Sequence, residues 1–403
     1  MRRLRAFISL RKLLTLAAVL RLAGIPLSIT GINPYATADA TGFAARAQDI
    51  AMTTLAGHPQ TGPLFWLDGH LIVGAVKIYN LWGLTLAPVY LLAGPSTTYA
   101  RIILAALGVV AIWNVYAIGR ALYSRPAGII AAFPVAIYPS FVLIHATVLR
   151  EVAVLFLLTS VARLVIVPSR FSRPVRTLCC VTGLIGAGLL RWDLFFLYIP
   201  TIVGGSVVYL IAMTTAVREW SVSRYSGAVV IAVPIAYVVW QAAKRATSHL
   251  SNLRNLRARG RTVYLADIQF PHVPEMLAFA PVAVAYFLFA PFPWMIGAFS
   301  DIVVAFEGFG NIGFALAALA GVYTILTQWT ALDARHRAGW VALAVWLLAG
   351  SVLFGLGTVN VGTAVRHRQM FVWVLYLFGA VGIVEWFLPR LSSKTTSKLL
   401  TAD

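Results

Sequence analysis

Apolar runs of about 20 residues recur along the sequence from near its start to residue 388, and most of the polar segments between them are short. A run of this length is what a helix needs to cross the hydrocarbon core of a bilayer. Lipid offers no hydrogen-bond partner to the backbone, so such runs must be helical. Only 11% of the residues are charged, against about 25% in soluble domains. We therefore expect an all-α, polytopic membrane helical bundle rather than a soluble, disordered, fibrous or disulfide-rich protein.

The apolar runs define the predicted membrane spans. They lie at 13–31, 71–93, 100–119, 127–143, 152–168, 177–190, 195–215, 226–242, 276–297, 310–328, 338–356 and 369–388. We expect about 11–13 crossings in one multi-pass domain over 1–390, followed by a short polar tail at 391–403.

Two segments decide the topology. Residues 71–93 either cross or run along the outer surface, and 276–307 hold one crossing or two. We adopt the arrangement in which the first segment does not cross and the second crosses twice, since it places the basic loops of the first half in the cytoplasm. It leaves 244–275, which carry six cations, outside against their charge.

The formal net charge of +19 would point to nucleic acid in a soluble domain. Here the cations fall mainly in short gaps between apolar runs, where they fix topology by the positive-inside rule, so we expect no nucleic-acid partner. The basic start, MRRLRAFISLRK, predicts a cytoplasmic N-terminus in a cell membrane, with the first span kept as an anchor. The following loop, 32–70, would then lie outside.

Asp39 stands in this first outer loop, at the expected boundary between water and membrane. Apolar residues recur after it at helical spacing, which predicts a short amphipathic juxtamembrane helix starting near Asp39. They are Phe43, Ala47, Ile50, Ala51 and Thr54. The carboxylate suits a general base acting on an acceptor hydroxyl. It equally suits the N-cap of the amphipathic helix.

Other ionisable residues at the ends of spans are candidates because charges at a membrane are costly to keep. Glu151 starts a predicted span beside Arg150, either as a functional acid or as one half of a boundary ion pair. Arg191 and Asp193 stand two residues apart in a break between apolar runs, again as a possible pair.

The cluster Arg366, His367 and Arg368 precedes the last span and is the densest group of cations beside an apolar helix. Guanidinium groups bind phosphate bidentately, so the cluster suits a lipid phosphate. The alternative is a positive-inside anchor.

Motifs of several enzyme classes are absent from the sequence. The run from Gly308 to Gly313 matches G-x-G-x-x-G but follows no βαβ unit, so it indicates helix packing or a turn. There is no P-loop, no H-E-x-x-H and no G-x-S-x-G. No Cys or His cluster has metal-ligand spacing, and Cys179 and Cys180 read as small hydrophobes. We expect no cofactor, and a divalent metal is not indicated.

Several short segments between residues 10 and 195 form a recognisable set. They are Arg21-Leu22, Gly42 to Ala47 after Asp39, Ala100 to Ala105, Ile118 to Ala132, Tyr138-Pro-Ser and Leu149-Arg-Glu. Together they resemble the GT-C glycosyltransferases, and most of all the family 39 and dolichyl-phosphate-mannose-protein mannosyltransferase-like branch. A weaker likeness returns at Pro291 to Trp294 and at Gly362 to Met370.

The resemblance implies a membrane enzyme that takes a sugar from a polyprenyl-phosphate donor on the outer face. The acceptor would be a protein, a lipid or a glycan of the cell envelope, and membrane lipids would be partners. Asp39 matches the acid of the first loop taken as catalytic base, and Glu151 matches an acidic position at the outer end of a core helix. Arg366 and Arg368 match positions expected to bind the donor phosphate.

Further candidates complete the predicted site. Arg191 is a third candidate for binding the donor phosphate, and Arg150, Asp193 and His367 are additional site candidates. Polyprenyl phosphate leaves as an anion, so cations near the breaking bond and a base near the acceptor are what the chemistry needs.

Other functions remain open on the sequence. An oligosaccharide-repeat polymerase would also be multi-pass and basic. A transporter or flippase would line a pathway with boundary charges, although the two halves show no matching duplication. A membrane scaffold without catalysis would tolerate Asp39→Asn.

Overall fold

The structure, a computed structural model, describes residues 9–36, 38–56, 75–94, 96–213, 244, 247, 249–258 and 262–388. Over these ranges every regular element is a helix, and the one β-type pairing is an isolated antiparallel bridge between Val263 and Asn360. The predicted all-α helical bundle is confirmed. The chain divides into two compact units, the first ending at Phe195 and the second beginning at Phe196.

The first unit contains eight helices among its described residues. They are α1 (Leu10–Ile29), α2 (Ala38–Leu55), α3 (Ala75–Ala93), α4 (Thr97–Leu122), α5 (Arg125–Ile137), α6 (Pro139–His145), α7 (Glu151–Ile166) and α8 (Arg173–Leu190). A 3-10 turn, Trp192–Leu194, follows α8.

The second unit is built from longer helices. They are α9 (Phe195–Met213), whose first residue belongs to the first unit, α10 (Val273–Phe289), α11 (Phe299–Thr327), α12 (Ala334–Leu356) and α13 (Val361–Gly382). A π-helical turn, Ile383–Phe387, continues α13. A helical segment at 249–257 precedes α10.

Seven helical stretches in the described part of the chain are long and apolar enough to cross a membrane, as a multi-pass membrane protein requires. The bent pair α5 and α6, with 61° between them, would make an eighth. The predicted spans 71–93, 152–168 and 276–297 correspond to α3, α7 and α10, which fall outside this group. The predicted span 226–242 lies outside the described residues. The described helices therefore account for fewer crossings than predicted.

Side-chain caps fix where several helices begin. The hydroxyl of Ser96 accepts from the backbone N–H of Thr98 at the start of α4, and Ser124 caps α5 in the same way. The Asn360 Oδ1 atom accepts from the N–H of Thr363 at 3.3 Å and starts α13. Such caps satisfy N–H groups that have no partner inside the helix.

The amphipathic helix predicted after Asp39 is present as α2. Its apolar residues Phe43, Ala47, Ile50 and Ala51 are buried. They are covered by protein, because a Cβ on Gly83 of α3 would lie 3.2 Å from the Ile50 Cδ1 atom. The helix therefore uses its apolar face to pack on α3, which the prediction of a helix lying on the membrane surface did not foresee.

The interior of the first unit is organised by Arg21, which is fully buried in the middle of α1. Its Nη2 atom donates to the carbonyl oxygen of Val135 at 2.7 Å, and Nη1 donates to that of Ala136 at 3.0 Å. These carbonyls lie at the end of α5, where Pro139 has no N–H for the carbonyl four residues earlier. Arg21 thus supplies donors at the break between α5 and α6.

The same guanidinium also reaches α6. Its Nε atom donates to Nδ1 of His145 at 3.1 Å, and His145 is itself fully buried. Gly108 of α4 packs over this pair, since a Cβ there would lie 2.3 Å from Nδ1 of His145. A glycine is required at 108 for α4 to approach this closely.

In the second unit, Arg368 of α13 donates to carbonyl oxygens at the end of α10, as Arg21 does at the end of α5 in the first unit. Its Nη1 atom donates to the carbonyl oxygen of Ala290 at 2.7 Å and to that of Leu288 at 3.3 Å. Asn311 of α11 donates to the same Leu288 carbonyl at 3.0 Å. The carbonyls of Leu288 and Ala290, at the end of α10, are thereby satisfied.

Glycines let α11 and α13 pack backbone to backbone. A Cβ on Gly321 would lie 2.0 Å from the carbonyl oxygen of Phe378, and one on Gly382 would lie 2.0 Å from that of Ala317. Gly308 approaches the Phe289 carbonyl in the same manner. Gly308 and Gly313 both lie inside α11, so the G-x-G-x-x-G match belongs to a packing helix, as the sequence indicated.

The close packing of α11 and α13 predicts a large effect of a single methyl group. We expect Gly321→Ala to lower the free energy of unfolding by about 1–3 kcal/mol or more, because the methyl group meets backbone that cannot move aside. Gly313→Ala on the same helix is the matched control, since a Cβ there has no atom within 4 Å. Thermal melting of both variants in detergent measures the difference. Equal melting temperatures would contradict the packing described.

Candidate functional site

The candidate residues of the first unit gather where α7 begins and α8 ends. Glu151, in the first turn of α7, accepts a hydrogen bond on Oε1 from Nη2 of Arg191 at 2.7 Å, and both side chains are buried. A carboxylate in the first turn of a helix is also stabilised by the helix dipole. The ion pair of Arg191 is therefore with Glu151, and the predicted pairing of Arg191 with Asp193 is not formed.

Arg150 connects this ion pair to the amphipathic helix. Its Nη1 atom donates to the carbonyl oxygen of Leu190 at 2.7 Å, and its guanidinium lies 6.0 Å from the centre of the Phe43 ring. Phe43 stands four residues after Asp39 in α2, so the two share one face of that helix. The structure thus brings the helix of Asp39 to the end of the unit that carries Glu151.

Asp39 is half-buried, and it lies in the first turn of α2, one residue after the helix begins at Ala38. It therefore stands at the N-terminal end of the helix. The dipole of α2 favours a negative charge at this position.

Asp193 is half-buried in the 3-10 turn between α8 and α9. It is two residues from Arg191 and hence close in sequence to the buried ion pair. The first unit therefore presents three carboxylates at the junctions of α1–α2, α6–α7 and α8–α9, those of Asp39, Glu151 and Asp193.

The candidate cations of the second unit lie in the first two turns of α13. Arg366 is half-buried, whereas His367 and Arg368 are buried. The His367 ring packs edge-on against Phe354, with 5.2 Å between ring centres. Arg368 contacts the carbonyls of α10, and its Nη2 atom lies 3.4 Å from Oε2 of the buried Glu307.

The three arginines predicted to bind the donor phosphate therefore differ in accessibility. Arg191 and Arg368 are buried and paired with Glu151 and Glu307. Arg366 is the partly exposed member of the set.

The loop that follows residue 261 packs against the start of α13. The backbone N–H of Tyr264 donates to the carbonyl of Val359 at 2.9 Å, and the N–H of Val361 donates to that of Thr262. Buried Arg254 holds the same loop, because it donates to the carbonyls of Ile268 and Leu265 and to the Leu356 carbonyl at the end of α12.

The Tyr264 side chain lies inside this arrangement. Burial raises the pKa of the Tyr264 phenol, while the charges of Arg254 and Arg368 act in the opposite direction. Its ring stacks on Tyr286 with 5.1 Å between centres, and the row continues through Phe292 to the exposed Trp294. An aromatic row thus leads from the surface towards the cations of α13.

Several buried polar residues were not found by the sequence reasoning. In the sequence, Arg21 was noted only within a segment that resembles the GT-C enzymes. His145, Glu307 and Gln369 were not predicted as site residues. All four are buried. A charged residue in the middle of an apolar run was the available signal for Arg21 and Glu307. Gln369 carries no charge, and no comparable signal marks it.

Among the residues that the structure describes, no three His, Cys, Asp or Glu side chains are grouped so as to hold a metal ion. Cys179 is exposed on α8 and Cys180 is half-buried, and neither forms a disulfide. Neither cysteine takes part in the candidate site.

Comparison of the chain with protein-family models, with curated proteins and with solved structures gives no match.

Because the Glu151–Arg191 pair is buried, we predict that the stability of the folded protein depends strongly on both charges. We expect Glu151→Gln to lower the free energy of unfolding by about 3–5 kcal/mol, because the Arg191 charge is left buried without its partner. Asp49→Asn is the control, since Asp49 pairs with Arg46 but the side chains are 54% and 30% exposed. An exposed pair contributes about 0–1 kcal/mol. Melting temperatures that fall equally in the two variants would contradict a buried, structural ion pair.

Proposed function

We propose that this chain is a membrane glycosyltransferase that moves a sugar from a polyprenyl-phosphate donor to an acceptor of the cell envelope. The observation that carries the proposal is the buried Glu151–Arg191 pair, with Arg150 beside it reaching Phe43 on the helix of Asp39. Carboxylates held by buried cations at the ends of apolar helices suit chemistry on a substrate delivered in the membrane.

Asp39 is the proposed general base. Its side chain is half-buried at the first turn of α2, so an acceptor hydroxyl could approach it without unfolding the helix. Glu151 is proposed to position the site rather than to react, because its Oε1 atom is already bound to Arg191. Arg150 is proposed to supply the positive charge for an anionic donor beside the Glu151–Arg191 pair, whose charges offset each other.

Arg366 is the proposed contact to the donor phosphate in the second unit. It is the partly exposed arginine of the cluster, and the paired Arg368 is proposed to hold α13 in place beside α10. The leaving polyprenyl phosphate needs cationic stabilisation as charge develops, and a guanidinium provides it. The proposal does not depend on which sugar is moved or on whether the acceptor is a protein, a lipid or a glycan.

A transporter or flippase is the second candidate function. It is favoured by the interrupted helices of the two units, which break at Pro139 after α5 and at Pro291 after α10. Transporters build their binding sites from helices broken in this way. In both units, however, a buried arginine already occupies the free carbonyls at the break, so these carbonyls are not available to a substrate.

The base assignment predicts the loss of sugar transfer in Asp39→Asn. We expect transfer of radiolabelled sugar from a panel of polyprenyl-phosphate sugars into membrane acceptors to fall about 10²–10⁴-fold, because the amide cannot take the acceptor's proton. Asp49→Asn, which removes another acid from α2, should transfer sugar like the wild type.

The outcomes separate the proposals. Equal transfer by Asp39→Asn and wild type would contradict Asp39 as the base and direct the search to Glu151 and Asp193. Movement of labelled lipid between vesicle leaflets by the wild type, with no transfer from any donor of the panel, would favour the transporter.

A further inference from the structure

Two polar side chains near the junction of α3 and α4 have hydrogen-bonding groups that the fold does not use. Tyr90 lies in the last turn of α3 and is 2% exposed, and Arg101 lies in the second turn of α4. Neither belongs to the candidate transferase site. The two helices pack against each other, and Gly94, which follows α3, has a φ of +81°.

The unused groups are all buried. The Tyr90 hydroxyl and the Nε and Nη1 atoms of Arg101 are shielded from solvent, and no atom of the described residues forms a hydrogen bond with them. No described carboxylate forms an ion pair with Arg101. Buried donors of this kind are nearly always paired in proteins, so three in one place call for an acceptor.

The two side chains are close enough to act on one another. The Arg101 charge and the Tyr90 phenol interact electrostatically, although they form no hydrogen bond with each other. A guanidinium and a phenol hydroxyl are both donors. An anion with several oxygen acceptors satisfies both groups, and a phosphate group has enough oxygens to accept from the guanidinium and from the phenol at the same time.

The surroundings of the pair are apolar and accessible. Leu92, which follows Tyr90 by two residues, is 90% exposed. The neighbours of Arg101 along α4, Tyr99, Ile102 and Ile103, are 50%, 41% and 44% exposed. These residues point to other faces of their helices than Tyr90 and Arg101 do, and their exposed apolar side chains indicate that this level of α3 and α4 faces lipid. A phosphate that reaches the pair from these surroundings is therefore carried by a lipid.

We propose that Tyr90 and Arg101 form a binding site for the phosphate group of a membrane lipid. The lipid is either a bulk phospholipid or a polyprenyl phosphate, since both present the same phosphate above a hydrocarbon chain. Only the second case rests on the proposed glycosyltransferase function. The site is defined by binding, so it stands or falls independently of sugar transfer.

The test is lipid binding by the full chain, purified in detergent and stripped of lipid, with bound lipid counted by native mass spectrometry. The probes are undecaprenyl phosphate, phosphatidylglycerol, undecaprenol and inorganic phosphate. We expect Arg101→Gln to weaken binding of lipid phosphate at least tenfold and Tyr90→Phe to weaken it severalfold, because each removes a donor to a charged group.

The matched control is Arg120→Gln, which removes the same charge from an exposed position in the last turn of α4. It should bind lipid like the wild type. If Arg101→Gln melts at a lower temperature, its weaker lipid binding could reflect lost stability. Tyr90→Phe removes only a hydroxyl group, so its lipid binding then decides the test.

Each outcome decides the proposal. Binding of undecaprenyl phosphate above phosphatidylglycerol identifies the carrier lipid, and equal binding of both identifies a general phospholipid site. Undecaprenol bound as tightly as its phosphate would overturn the proposal, as would competition by inorganic phosphate at the same concentration as the lipids. Unchanged lipid binding in both Arg101→Gln and Tyr90→Phe would also overturn it.

Discussion

Buried guanidinium groups at broken helices are the interaction on which both units depend. An apolar helix that stops inside a bundle leaves carbonyl oxygens without N–H partners, and lipid or packed side chains cannot supply them. Arg21 supplies donors to the last carbonyls of α5, and Arg368 supplies them to those of α10. Each arginine comes from a neighbouring helix. Its hydrogen bonds to the carbonyl oxygens at the break therefore also connect the two helices.

This constraint also explains where the glycines stand. Gly108 leaves room for the Arg21 and His145 side chains beside α4, and Gly321 and Gly382 let α11 come close to α13, the helix that carries Arg368. The charged groups of the candidate site lie at the ends of helices whose positions this packing holds. Glu151 and Arg191 are held at the ends of α7 and α8, and the amphipathic α2 reaches them through Phe43 and Arg150.

The sequence was sufficient for the class of fold and for most helices, because apolar runs and helical spacing depend on local composition. It placed α2 after Asp39 and foresaw that Gly308 would serve packing. It could not give the partner of Arg191, since Glu151 is forty residues away and meets it only after α7 and α8 pack. A hydropathy pattern also does not show that α3 packs on α2 or that α7 and α10 have only 16 and 17 residues.

The most direct test of the account is a double-mutant cycle between Arg21 and Pro139. Pro139→Ala restores an N–H that can bond the Val135 carbonyl, so Arg21 should be needed less in that background. We expect Arg21→Met to lower the melting temperature sharply in the wild type and clearly less in Pro139→Ala, with a coupling of about 1–3 kcal/mol. The same loss of stability from Arg21→Met in both backgrounds would contradict the claim that a buried guanidinium stabilises the broken helix.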